Sequence, residues 1–242
     1  MPDLKKQIAV VTGASGGIGG AIATAFIQGG AHVVAVGRDI AKLEALVTRL
    51  RGLAGIAEAF RADLTQDDDL SGLAEYVSYT WGRLDILVHS AGAYARGKLE
   101  KSSVNTMDAL YASNVRGPYL LTKELLPLLK RPRGQITFIN SSAGLSARPE
   151  AVQFSATQQA FKALADGLRD EVNADQVRVL SVYPGRTATA RIEALTLEEG
   201  RPYQPELLLR PEDVASVVAN AVTLPWTAEV TDISIRPMQK SY

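Results

Sequence analysis

Apolar residues recur along this chain in two alternating periods. Unbroken runs such as Ile8-Ala9-Val10-Val11, with no polar residue between them, suit strands buried on both faces. Elsewhere apolar residues return every three or four positions, as Ile18, Ile22 and Phe26 do, and these stretches suit helices packed on one side. The segments 7–12, 31–37, 56–62, 84–90, 135–140, 177–183 and 230–235 read as strands, with helices in the gaps. Strict alternation demands right-handed crossovers, so the pattern predicts an α/β fold: a doubly wound, seven-stranded parallel sheet with helices on both faces, one three-layer α/β/α domain over 1–242. In such sheets ligands bind at the carboxyl ends of the strands, so functional residues are expected just after each one.

Between the first strand and the first helix stands Thr12-Gly13-Ala14-Ser15-Gly16-Gly17-Ile18-Gly19. Glycines let backbone N–H groups approach a pyrophosphate, and the helix start behind them offers unpaired donors and a partial positive charge. A dinucleotide is the ligand this predicts, in a Rossmann-type fold; the competing reading is a turn that only packs helix on strand. The second strand ends in Gly37-Arg38-Asp39. A guanidinium here, with glycine at the strand end, favours a cofactor carrying a 2′-phosphate, so NADP(H) is expected over NAD(H). Asp39 competes as a ribose-binding carboxylate, but it also directly precedes Ile40-Ala41-Lys42-Leu43, where a helix N-cap belongs, and the cap is the favoured reading.

Composition narrows the partners. With 26 basic and 26 acidic residues in 242, no net charge draws the chain to nucleic acid or to an anionic membrane. There is no cysteine for a disulfide framework or thiolate metal site, and no apolar run approaches the length of a bilayer span. His89 and His32 lie on different strands, so no metal site is expected and His89 reads as a hydrogen-bonded structural histidine. A cytoplasmic protein acting on a small-molecule substrate is the expectation.

The glycine spacing Thr-Gly-x-x-x-Gly-x-Gly resembles that of the short-chain dehydrogenase/reductase family, classical type, and later segments extend the resemblance over essentially the whole chain. It implies cofactor contacts from Thr12, Gly13, Ser15, Gly17, Ile18 and Gly19, and adenine contacts from Asp63 and Leu64, although Asp63 also suits the start of a turn. His89-Ser90-Ala91-Gly92 stands where the family has Asn-Asn-Ala-Gly, and Ser90, Ala91 and Gly92 would line the cofactor. Pro184-Gly185-Arg186-Thr187-Ala188-Thr189 resembles the family's Pro-Gly-x-x-x-Thr turn, which assigns Pro184, Gly185, Thr187 and, at the nicotinamide, Thr189. Asn114 would kink a long helix and hold a water of a proton relay; Ser141, in Asn140-Ser141-Ser142-Ala143-Gly144, would be the catalytic serine. The segment 186–210 is long enough for a substrate lid, and Arg191 and Arg201 within it read as solvated or as contacts to an acidic substrate. The family's C-terminal segment often helps build oligomers, so a homodimer or homotetramer is expected, or an assembly with an active relative.

At the proton-transfer pair the resemblance breaks. The family places Tyr thirteen residues after the serine and Lys four further on; here those positions hold Phe154 and Gln158. Phe has no proton to give, and Gln158 can hydrogen-bond a nicotinamide ribose without supplying the field of a cation. Two other Tyr-x-x-x-Lys strings exist. Tyr119 and Lys123 belong to the helix before the fifth strand, on a packing or subunit face. Tyr94 follows the fourth strand and can overhang the site, although Gly97 and a loop setting undo helical geometry between Tyr94 and Lys98. Three functions stay open: an NADP(H)-dependent oxidoreductase on a carbonyl or alcohol, using Asn114, Ser141 and a substitute acid such as water or Tyr94; a cofactor-binding pseudoenzyme or regulatory subunit; and a non-redox enzyme on the same fold.

Overall fold

The computed structural model describes residues 3–239. Seven parallel strands, β1 (Ile8–Thr12), β2 (His32–Gly37), β3 (Ile56–Arg61), β4 (Ile86–His89), β5 (Gln135–Ile139), β6 (Arg178–Pro184) and β7 (Asp232–Ile235), form one sheet in the order β3-β2-β1-β4-β5-β6-β7. All seven predicted strands are present, and no end moves by more than two residues. The starts of β4 and β7 each move by two, and the shift at β4 has a local cause. The Leu84 N–H donates to the carbonyl of Leu128 rather than into the ladder, and the Asp85 carboxylate receives the N–H of Ile8.

Helices α1 (Gly17–Gln28), α2 (Ile40–Arg49), α3 (Asp67–Trp81), α4 (Val104–Tyr111), α5 (Gly117–Lys130), α6 (Val152–Val172), α7 (Ala190–Glu198) and α8 (Pro211–Val222) fill the gaps. Alternate residues of each central strand enter opposite cores, as the period of two requires. Ala9 and Val11 of β1 pack with Phe26 and Ile27 of α1, Leu43 of α2 and Val218 of α8, whereas Ile8 and Val10 pack with Leu73 of α3, Leu125 of α5 and Phe161 of α6. Every residue of β1 and of β6 is buried, which explains why these strands carry no polar alternation; Ile56 and Arg61, at the two ends of edge strand β3, are exposed. The chain winds outward from β1 to β3, then restarts at β4 on the other side of β1. The crevice where the direction reverses opens at the carboxyl ends of β1 and β4, the usual ligand position in this architecture.

Between α4 and α5 the long helical stretch loosens into a single π turn at Ala112–Arg116, with Asn114 at its centre. One extra residue per turn redirects a helix and aims a side chain inward, and such turns mark functional sites often enough to direct attention here.

Candidate active site

A cleft of about 2520 Å³ opens at the carboxyl ends of the strands, and every residue singled out above for cofactor or catalysis lines it, from Thr12 in the glycine loop to Thr189 before α7. Its floor is a backbone cradle. Gly13 has φ +69, and a Cβ there would come within 2.8 Å of the Ala91 nitrogen; at Gly19 a Cβ would meet the Gly13 carbonyl oxygen at 2.5 Å. No side chain caps the start of α1, since Gly16 is the N-cap residue, so the first-turn donors face the cleft unclaimed by a side chain. Those features fit a pyrophosphate. Thr12 serves the cradle from beneath: its hydroxyl donates to the Val88 carbonyl and receives the N–H groups of Ser90 and Ala91 at 3.1 and 3.2 Å, which ties β4's exit to β1.

Beside the ends of β2 and β3 the two carboxylates in question are committed locally. Asp39 caps α2 by accepting the Lys42 N–H at 3.1 Å, and that bond leads the causes that lower its pKa. Asp63 accepts both the N–H and the hydroxyl of Thr65, at 2.9 and 2.8 Å, closing the turn after β3. Its pKa is lowered: desolvation is the largest single effect and opposes the shift, but the Thr65 bonds and the charges of Arg38 and Arg61 outweigh it. Arg38 itself lines the cleft and forms no ion pair among the described residues.

The part of the cleft around Ser141 is built by the π turn, the segment after β5, and α6. Asn114, buried, accepts the Ala93 N–H at 2.7 Å and donates to the Ala93 carbonyl and the Thr157 hydroxyl, both at 3.0 Å. Thr157 in turn donates to the Phe154 carbonyl at 2.8 Å. Asn140 donates to the Gln158 carbonyl at 3.0 Å and accepts the N–H of Ser141 at 2.7 Å. These bonds fix the first turns of α6 against the serine segment. The Ser141 hydroxyl oxygen accepts the Ala143 N–H at 3.2 Å, which leaves its proton free to donate into the cleft. Phe154 and Gln158 line the cleft one helical turn apart, and the Gln158 side-chain amide has no protein hydrogen-bond partner among the described residues. Tyr94 packs edge-on against Phe154. Burial is the largest influence on its phenol and, with the Glu199 carboxylate, raises its pKa above the usual value against the opposing charges of Arg96 and Arg186.

Segment 186–210 carries α7 and a short turn of helix at Pro205–Leu207. Its acidic residue Glu199 accepts two bonds from Arg186, each 3.0 Å, and pairs with Arg96 and Arg201; Arg96 also pairs with Glu150 at 2.6 Å. Desolvation is the largest effect on Glu199 and would raise its pKa, but its arginine partners prevail and hold it low. This cluster joins the loop after β4, the start of α6 and segment 186–210. Its members are scattered over a hundred positions in sequence, and no local pattern announces it.

Away from the cleft, His89 is fully buried and bonds the Thr122 hydroxyl through Nε2 at 2.8 Å. Tyr119 is exposed on α5. Among the described residues there is no cluster of residues fit to hold a metal ion, and no helix is long and apolar enough to cross a membrane.

A doubly wound sheet with a glycine cradle at its switch point defines a dinucleotide-binding protein, and comparison gives the family. Residues 7–200 match the short chain dehydrogenase family. An uncharacterized oxidoreductase of Staphylococcus aureus is 31% identical over 98% of this chain and 100% of its own length. A metagenomic short-chain oxidoreductase solved with NADP is 32% identical, with a TM-score of 0.85 and coverage of 98% and 99% of the two chains. An alcohol dehydrogenase of the archaeon Thermococcus sibiricus, solved with 5-hydroxy-NADP, superposes with a TM-score of 0.85 at 25% identity over 98% and 100%. The chain belongs to the short-chain dehydrogenase family.

Proposed function

We propose that this protein is an NADP(H)-dependent oxidoreductase that interconverts a carbonyl and an alcohol slowly, because its proton-delivery pair has been replaced. The carrying observation is that one cleft is lined by the glycine cradle, Arg38, Asn114, Ser141, Phe154 and Gln158; the family resemblance leads us to read the last two as standing in for the tyrosine and lysine. Bound NADPH would supply the hydride. Arg38, a cation just past the end of β2 with no ion pair among the described residues, favours the 2′-phosphorylated cofactor over NAD(H), in keeping with the NADP held by the similar metagenomic oxidoreductase. Ser141 would hydrogen-bond the substrate oxygen, and Gln158 the nicotinamide ribose. The proton for the developing alkoxide would come from Tyr94 or from water.

Loss of a positioned acid costs roughly 10²–10⁴ in rate. The same replacement favours a second reading, a cofactor-binding subunit without turnover. One experiment separates them: single-turnover absorbance of NADPH with a panel of ketones. Ketone-dependent oxidation of NADPH supports the enzyme; tight NADPH binding with no oxidation over the panel supports the subunit. Exposed Val104, Tyr111 and Tyr119 on α4 and α5 favour a self-associating face and hence a homo-oligomer, which sedimentation would test.

A further inference from the structure

Seven arginines line the cleft, and three of them have a carboxylate partner among the described residues. Arg96, Arg186 and Arg201 share Glu199, but Arg191 forms no ion pair among the described residues, and neither does Arg38. Arg191 is the second residue of α7. Thr189, the N-cap of that helix, lies against the start of α1, where its Cγ2 is 3.3 Å from the place a Cβ on Gly17 would take. From there the Arg191 side chain spans the cleft, and its Nη2 donates to the Gly92 carbonyl oxygen at 2.5 Å. The residue as a whole is exposed, yet protein packs around its charged end. Burial, with a smaller contribution from the charge of Arg38, lowers its pKa from the ordinary arginine value. Two like charges thus face one cleft, and one of them is satisfied only by a neutral carbonyl.

A dianionic group between them would relieve both costs. A guanidinium exchanging one bond to a carbonyl for a bidentate pair to phosphate oxygens gains charge assistance and geometric fit. Position decides which phosphate. Arg38 follows β2, on the adenosine side, whereas Arg191 reaches over Gly92 from α7, whose N-cap Thr189 lies against Gly17 beside the glycine cradle.

We infer that Arg191 is a diphosphate-binding residue, delivered to the pyrophosphate of the dinucleotide by the lid helix α7. The assignment rests on the NADP(H) reading above and couples the position of the lid to the cofactor. It also assigns Arg191 to the cofactor instead of to an acidic substrate.

The test is equilibrium titration of wild type, R191A, R191K and R38A with NADPH, NADH and adenosine 2′-monophosphate, which has no 5′-phosphate. R191A is expected to weaken NADPH and NADH by the same factor, roughly tenfold, and to leave adenosine 2′-monophosphate unchanged. R191K is expected to recover part of the loss for both dinucleotides, because an ammonium restores charge without the fork. R38A is expected to weaken NADPH and adenosine 2′-monophosphate but not NADH. Equal NADPH affinity in R191A and wild type overturns the inference and leaves the cofactor reading standing, as does a loss in R191A confined to NADPH. Wild-type protein that binds neither dinucleotide overturns the cofactor reading and this inference with it.

Discussion

The ring of Phe154 meets the ring of Tyr94 edge-on, with centroids 4.8 Å apart and planes inclined at 63°. An aromatic side chain without a hydroxyl stands where the proposed function expects the tyrosine, and it packs against a phenol from a different part of the chain. Restoring the pair in place is the direct check. F154Y combined with Q158K is expected to raise NADPH-dependent ketone reduction by roughly 10²-fold or more, measured as single-turnover rates. Wild-type protein that is already as fast as the double variant would mean that the acid is supplied elsewhere.

Much of this was readable in the sequence, for reasons the structure makes plain. Buried parallel strands need unbroken apolar runs, and the glycine spacing is dictated by backbone contacts as close as that of Gly19 on Gly13. Asp39 was ambiguous because a carboxylate at that position serves a ribose or a helix start equally well; only its bond to the Lys42 N–H separates them. The cluster at Glu199 was illegible as a whole, since Arg96 reaches it from the loop after β4 while Arg186 and Arg201 flank it within segment 186–210. Arg191 was seen only as a lid cation, because nothing in its neighbours in sequence shows that Gly92 lies across from it.

Tyr94 yields a second prediction. Burial keeps its phenol protonated above the ordinary tyrosine range, despite the nearby charges of Arg96 and Arg186. If Tyr94 gives the proton, Y94F lowers single-turnover ketone reduction by roughly tenfold or more without changing NADPH affinity. The wild-type rate is expected to stay level from about pH 6 to pH 9, since a raised pKa places loss of the proton above that window. In F154Y/Q158K the introduced ammonium lowers the pKa of the introduced phenol, so a fall in reduction rate should appear at lower pH than in wild type. Unchanged rates in Y94F would assign the proton to water.

Asn114 ties three elements together, and its removal should be felt as stability. N114A strands the Ala93 N–H and carbonyl and one acceptor bond of Thr157, next to a π turn that depends on them. A cost of about 2 kcal/mol is expected, or a Tm lower by roughly 4–8 °C in a chain of this size. N114D, which keeps an acceptor for the Ala93 N–H, should lose less. Equal melting of N114A and wild type would show that the turn is held by packing alone.

His89 makes stability depend on pH through burial. It is fully enclosed beside Phe138 and Phe161, its Nδ1 has no partner among the described residues, and desolvation lowers its pKa to about 3. In the unfolded chain the ring titrates near the ordinary value of about 6.5. Below that pH the unfolded state binds a proton that the folded state refuses, so the contribution to stability is complete above about pH 6.5 and falls as pH drops toward the folded pKa. The slope is about 1.4 kcal/mol per pH unit, which amounts to roughly 2 kcal/mol between pH 7 and pH 5. Carboxylates titrate in the same experiment, so the informative quantity is the difference between wild type and H89N. Asparagine occupies this position in the family pattern, can still bond the Thr122 hydroxyl, and carries no proton to refuse. Urea midpoints for the two proteins should therefore converge as pH is lowered from 7 to 5, or cross, with wild type losing more. Parallel curves would mean that His89 keeps its proton inside the fold, with the orphaned Nδ1 paired after all.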